Sequence, residues 1–539
     1  MRVHAEFTGF FGARSIYSSG SLYNHYMRKT SNLVKITASI TVALLAAFLL
    51  ASNSNGKAAR AYPVDAIREE IGATQIKVMT FNIWIGGGAV DFAKVIDAIK
   101  ISGADVVGLQ EAEGTAPKIA ALLGWAYADE RLQIISKYPM IQPGDGAGLY
   151  TYVQLSPGQV FAMSNIHLPS DPYGPYQINE GADLKTVLKS EEDTRMPVIN
   201  KFLPTWKRLL AHKIPLVITG DFNSPSYLDW IKSTVGLRPA MKFPVAWPAS
   251  KSIADLGMVD TYRVIHKDPK KVPGITWTLG YPFPRIDPKE VVDRIDFIWV
   301  PTGTKVSGSG IVGPTGGPDV EFGVLPFPSD HLGVVSTFNF DPVEPPPYIA
   351  TNSNRYEQGD PITVAYHGPL GDADSVAIVK VGDDPLTQAV TSTPPQEAGF
   401  FGQMRMGSGN LSPGKYEVAL ISKDKVVQRS AFWVVTRGAF PTVGTDKSSY
   451  SSGSPIQISW KNSFGRKFDW VGIFSTKSTD IYYTQSSFHY TDATVDGSCT
   501  VTSSDTGGAL PAGEYEVRLM NDDGYVVLTA QKFSVHSKG

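Results

Sequence analysis

The sequence predicts an α/β domain followed by two all-β sandwich domains. Three observations carry that prediction. Between Lys77 and Asp341, β-branched runs of strand length alternate with stretches of helical period. After EPPP (344–347), a stiff proline-rich linker, the helical period vanishes and short strands punctuated by Gly, Pro and Ser take over. That last part also repeats itself. RYEQGDPITVAY (355–366) returns as SYSSGSPIQISW (449–460), DSVAIV (374–379) as DWVGIF (469–474), and PGKYEVAL (413–420) as AGEYEVRL (512–519).

Taken in order, KVMTFNIW (77–84) reads as a strand. In DFAKVIDAIK (91–100), Phe92, Val95, Ile96 and Ile99 keep helical spacing, and Gly103 offers a stop. DVVGLQE (105–111), QVFAMSNIHL (159–168), PLVITGDF (215–222), VDRIDFIWV (292–300) and LGVVSTFNF (332–340) are further strands, with helical stretches such as KFLPTWKRLLA (201–211) between them. The expected boundaries are 62–343 for the α/β domain, then 344–438 and 439–539 for the two sandwiches.

The N-terminus reads as a targeting signal. Residues 36–51 (ITASITVALLAAFLLA) form an uncharged apolar run preceded by Arg28, Lys29 and Lys35. The run is short of the roughly 20 residues a membrane span needs, and Ala59-Arg60-Ala61 offers a small-residue cleavage site before Tyr62. Residues 1–61 are therefore expected to be a signal peptide with an N-terminal extension, Met27 opening a more conventional signal. The mature protein is expected to be secreted, or membrane-anchored if the signal is retained. A formal net charge of −2 gives non-specific polyanion binding no support. The single cysteine, Cys499, excludes an intramolecular disulfide and reads as structural.

Chemistry is suggested first by VITGDFNSP (217–225). A β-branched strand ends in Gly220, which allows close backbone approach, and then in Asp221 and Asn223, two residues apart and so on one face. An Asx turn capping the strand would explain an isolated D-x-N equally well. Similar polar residues, however, close or precede other predicted strands: Asn82, Glu111, His167 and the pair Asp330-His331. Asp296 lies between Ile295 and Phe297, where an acid is costly without a partner.

The ordered set FNIW, GLQE, NIHL, GDFNSP, DRIDFIWV and SDHLGVV resembles the endonuclease/exonuclease/phosphatase superfamily, which includes deoxyribonuclease I, neutral sphingomyelinases and inositol polyphosphate 5-phosphatases. ISKYPM (135–140) and GITWT (274–278) are similar to further family segments. The resemblance spans 76–340 and implies a four-layer α/β sandwich of the deoxyribonuclease I type, with the site at the common mouth of two sheets. It implies Glu111 as ligand of a catalytic Mg²⁺ or Mn²⁺, with Asn82 close by and Asp330 in the same metal set; hard oxygens without sulfur suit those ions. It implies Asp221 as general base, Asn223 on a phosphate oxygen, and His331 on the phosphate with its tautomer set by Asp296. His167 is implied as a second phosphate contact or proton donor. Arg294 is expected to pack rather than catalyse.

The expected function is a secreted, Mg²⁺-dependent phosphodiester hydrolase, first an extracellular nuclease. A sphingomyelinase-like phospholipase or inositol-phosphate phosphatase is the alternative, since fold and motif do not choose a substrate. The loop LPSDPYGPY (168–176) is a candidate pocket floor, and it lacks the basic cluster a polyphosphorylated ring needs. A non-catalytic adhesion protein on a hydrolase scaffold would be expected to lack one of Glu111, Asp221, Asp330 or His331, and all are present. The C-terminal repeats resemble immunoglobulin-like SKICH domains. They are expected to hold a monomeric enzyme at a cell-surface or polymer ligand and to take no part in the chemistry.

Overall fold

The structure, a computed structural model, describes residues 72–144, 148–368, 374–394, 401–477, 485–486, 489–503, 505–506 and 508–538. The expected signal segment lies outside them. Among the described residues no helix is long and apolar enough to cross a membrane.

The α/β domain holds β1 (Thr74–Asn82), β2 (Val106–Gln110), β3 (Tyr127–Asp129), β4 (Ile134–Ser136), β5 (Met140–Ile141), β6 (Thr151–Ser156), β7 (Gln159–His167), β8 (Leu216–Asp221), β9 (Met258–Asp260), β10 (Asp296–Pro301), β11 (Lys305–Pro314), β12 (Val320–Val324) and β13 (Gly333–Phe340). One sheet runs β12-β11-β13-β1-β2-β4-β3 and the other β5-β6-β7-β8-β10-β9. The sheets face each other through β1, β2, β7, β8 and β10, and helices lie against both. The expected four-layer sandwich is what forms.

Local sequence explains the outer helices. In the helix Phe92–Ser102 the Asp91 side chain accepts a hydrogen bond from Ala93 N, and Gly103, at φ 68°, ends the helix. The helix Met196–Ala211 buries Met196, Ile199, Phe202, Trp206 and Leu209, a stripe at three- and four-residue spacing. Two strands depart from expectation by more than one residue. β1 stops at Asn82 because Trp84 and Ile85 take φ 54° and 51°, which no strand accommodates. β10 starts at Asp296 because Asp293 pairs instead with Trp277.

Close approach within the domain depends on glycine. A Cβ on Gly220 would lie 2.3 Å from the Ile166 carbonyl oxygen, which is why β7 and β8 can pack as they do. A Cβ on Gly108 would lie 2.2 Å from Thr219 Oγ1 and 2.5 Å from Asn165 Oδ1. Those polar atoms form a buried network between the sheets. Gln110 Nε2 donates to Asn165 Oδ1 at 2.7 Å, Thr219 Oγ1 donates to the same oxygen at 2.9 Å, and Asn165 Nδ2 donates to Leu109 O at 2.6 Å. Fully satisfied buried polar groups of this kind fix sheet registration more sharply than apolar contact does.

Both C-terminal repeats are sandwiches of a three- and a five-stranded sheet. In the first, Tyr348–Thr351, Pro361–His367 and Phe401–Gly407 face a sheet built on Gly414–Ser422 and Lys425–Val435. In the second, Thr442–Thr445, Ile456–Lys461 and Gly497–Val501 face a sheet built on Gly513–Met520 and Val527–His536. Trp460 and Trp470 are buried, Trp433 is half-buried, and Cys499 packs half-buried against the second core.

Candidate active site

Strand register brings the expected residues together. His167 ends β7 and lies opposite Asp221, which ends the parallel β8. Asp296 opens the antiparallel β10, also opposite Asp221. From the facing sheet, Asn82 ends β1, Glu111 follows β2, and Asp330-His331 lead into β13. Seven of these side chains thus occupy strand ends at one mouth of the sandwich, and Asn223 joins them from the turn after β8.

Asp221 is buried, and its two carboxylate oxygens face different partners. Its Oδ1 accepts a hydrogen bond from Asn223 N at 2.8 Å, closing an Asx turn in which Asn223 takes φ 45°. Its Oδ2 faces Asn82 Nδ2 at 3.1 Å and the Nε2 atoms of both His331 and His167 at 3.5 Å. Burial works to raise the Asp221 carboxyl, but His331 and His167 outweigh it and hold the group below the usual carboxylate range. It is ionised at neutral pH.

His331 sits between two acids. Its Nδ1 lies 3.1 Å from Asp296 Oδ2, and its ring packs beside Trp277 with centroids 6.2 Å apart. Burial disfavours the charged ring, yet Asp296 and Asp221 overcome that and push its pKa up to about 10. The ligand atoms of Asp221, Asp296 and His331 lie within 4.8 Å of one another, close enough to hold a metal. The same two acids favour the imidazolium form of His331, in which the ring presents N–H groups and no lone pair.

Glu111 and Asp330 present a different balance. Glu111 takes φ 53°, costly for a residue with a side chain, and its oxygens accept from Asn82 Nδ2 at 3.0 Å and Ile85 N at 3.2 Å. Burial, together with the Glu111 charge, pushes Asp330 up to about 7 in spite of His331. Acid charge therefore exceeds local cation charge on this side, which is what an oxygen site for a divalent ion requires. Asn82, expected near the metal, turns its Oδ1 to Trp84 N at 3.0 Å and its nitrogen to Glu111 and Asp221. In this geometry it braces the two acids.

Asn223 Nδ2 lies 3.1 Å from His167 Nε2 and donates to Leu168 O at 3.0 Å. Tyr173 and Tyr176 of the 168–176 loop pack edge-on against Trp277, so that loop does wall the site beside His331. Arg294 is buried between Asp229 at 2.9 Å and Asp260 at 2.7 Å, a structural ion pair as expected.

Sequence reasoning missed three features. Arg195, buried, ties the 168–176 loop to the turn after β8 by donating to Ser170 O, Pro172 O and Asn223 O. Glu113 lies beside Glu111, and burial with that neighbour's charge pushes it up to about 8. Most consequentially, Asp523 of the second sandwich pairs with His167 Nδ1. A domain expected to take no part in the chemistry thus places a side chain against a candidate site residue. Burial tends to lower the His167 pKa, but Asp523 and Asp221 raise it well above the ordinary value.

Residues 79–331 match the Endonuclease/Exonuclease/phosphatase family. An uncharacterized protein of Caenorhabditis elegans is 28% identical over 309 residues, covering 49% of this chain and 91% of the relative. Among solved structures, D. rerio TDP2 complexed with a single-strand DNA product is 15% identical with a TM-score of 0.29, covering 50% of this chain and all of that one. The D0-D1 domain of intimin is 16% identical with a TM-score of 0.16, covering 34% of this chain and 96% of that one. With the two-sheet sandwich and the motif residues gathered at its mouth, the α/β part of the chain is a hydrolase domain of the endonuclease/exonuclease/phosphatase family.

Proposed function

We propose that the chain is a divalent-metal-dependent phosphodiester hydrolase. The observation that carries this reading is the pair of imidazoles turned onto one ionised carboxylate, His331 and His167 each 3.5 Å from Asp221 Oδ2. Asp221 accepts a proton from the attacking water and orients it. His331, kept protonated by Asp296 on its other nitrogen, donates to a phosphate oxygen, and charge developing there is met by a preorganised cation. His167 stands on the opposite flank of Asp221, where it holds a second phosphate oxygen or gives a proton to the departing alkoxide. Glu111 and Asp330 supply the oxygens for Mg²⁺ or Mn²⁺. When bound, the ion supplies Lewis-acid neutralisation of the phosphate charge.

Glu113 lies beside Glu111, with Asp522 and Asp523 close to Glu113, and no basic residue lies on the 168–176 loop. A net charge of −2 and a site loop without Lys or Arg offer a duplex or a polyphosphorylated ring no basic surface, whereas a single diester linkage needs none. We therefore favour a nucleic-acid strand presented one linkage at a time, with a phospholipid diester as the second reading. Action outside the cytoplasm rests on the apolar run at 36–51. The purified chain with Mg²⁺ should cleave single-stranded DNA or RNA faster than duplex DNA, and diesters faster than inositol phosphates. Turnover confined to phosphomonoesters would overturn the proposal.

A further inference from the structure

The turn at 521–524 in the second sandwich is built as a repeat element but placed as part of the catalytic domain. Its counterpart in the first sandwich carries Lys423 and Asp424, both exposed, at φ 51° and 57°. In the second sandwich Asp522 and Asp523 occupy the same kind of left-handed hairpin turn, at φ 45° and 66°. The backbone conformation is shared, so it alone implies no function. What differs is the side chains and what they touch.

Asp522 accepts from Gly114 N at 2.7 Å and from Gln133 Nε2 at 3.0 Å, both in the catalytic domain. Asn521 Nδ2 donates to Glu113 O at 3.2 Å. Gly524 is packed so closely that a Cβ would lie 2.2 Å from Glu113 Cγ. Around the turn, Arg466 pairs with Glu130 at 2.6 Å, and the Lys467 ammonium sits 3.9 Å above the Phe202 ring. These contacts deliver Asp523, whose Oδ1 accepts from Tyr490 OH at 2.7 Å and whose Oδ2 meets His167 Nδ1.

The result mirrors the other half of the site. Asp296 holds His331 by Nδ1 and leaves Nε2 toward Asp221; Asp523 holds His167 by Nδ1 and leaves Nε2 toward Asp221 and Asn223. One carboxylate belongs to the catalytic domain and the other arrives from the last domain of the chain. A carboxylate on Nδ1 fixes the ring's orientation and proton position, which is what a phosphate contact or proton donor needs of Nε2. We propose that Asp523 is a positioning residue for His167, buttressed by Tyr490, and that the second sandwich is thereby a working part of the catalytic unit. This inference rests on the phosphodiesterase reading above.

The test is a double-mutant cycle in the full chain on a soluble bis-aryl phosphodiester with Mg²⁺, with Tm measured for each variant. Asp523→Asn keeps the shape and removes the charge. It should lower kcat about 10–100-fold, the scale for losing the outer partner of a working histidine, with KM nearly unchanged. His167→Ala should cost more, and the double variant should be no worse than His167→Ala alone. Glu130→Gln loosens the same interface at a distance from Asp523 and should lower Tm with a smaller fall in kcat than Asp523→Asn gives. If Asp523→Asn itself lowers Tm, Tyr490→Phe decides, because it leaves the carboxylate and removes one bond to it: kcat must still fall at constant KM. Wild-type kcat in Asp523→Asn or Tyr490→Phe, or losses that multiply in the cycle, would overturn the role of Asp523 while leaving the phosphodiesterase reading intact. A wild-type chain inactive on every diester would overturn both.

Discussion

Replacing Asp221 by Asn should lower kcat by about 10²–10⁴-fold, the usual contribution of a positioned general base, with little change in Tm. The geometry separates the two roles of this side chain. An asparagine oxygen still accepts from Asn223 N, as Asp221 Oδ1 does at 2.8 Å, so the turn after β8 survives. The atom that changes faces Asn82 and the two histidines, where the charge and the basicity are needed. Kinetics and thermal unfolding on the same preparation check both halves. A variant that unfolds while its residual folded fraction turns over normally would show that the turn, and not the base, is what the motif supplies.

The second large effect concerns Asp296 and His331. Asp296 is buried, and burial pushes its carboxyl up even though His331 pulls it down. Among the described residues its Oδ1 has no partner of good geometry, and the pair with His331 at 3.1 Å, helped by nearby Thr276, is its main compensation. Removing either group leaves the other buried without its counter-charge, which is a large penalty. Asp296→Asn and His331→Ala should each cost on the order of 10²-fold or more in kcat, the range for one acid–base or phosphate contact. The double variant should be little worse than the worse single. Losses that multiply would mean that the two act separately.

Much of this site was legible because its residues sit at strand ends. A strand's side chains alternate, so a polar residue at the last position of an apolar run points into whatever lies beyond the sheet. Asn82, His167 and Asp221 were found in this way, and the motif order identified the fold that gathers them. Other parts were not legible. Whether Asn82 gives its oxygen to a metal or its nitrogen to two acids depends on Trp84 N, which is placed by a left-handed turn that no local pattern announces. Arg195 lies on no motif, and its three carbonyl partners come from two separate loops. Asp523 is the clearest case. It is remote in sequence from His167 and belongs to a repeat that reads as a generic sandwich. The only trace in the sequence is that the second repeat has Asn521-Asp522-Asp523-Gly524 where the first has Ser422-Lys423-Asp424-Lys425. Docking of one domain on another is set by surface complementarity, which periodicity does not record.

The most direct test of the central claim is the rate of bis-aryl phosphodiester hydrolysis by the purified chain, with Mg²⁺ and with excess EDTA, for wild type and Glu111→Gln. Glu111 stands in a strained backbone conformation close to Asp330, and the two are the ligands proposed for the ion. The account predicts that EDTA abolishes wild-type turnover, that Mg²⁺ or Mn²⁺ restores it, and that Glu111→Gln is not restored at the same metal concentration. Full turnover in excess chelator, or a Glu111→Gln variant indistinguishable from wild type, would contradict it.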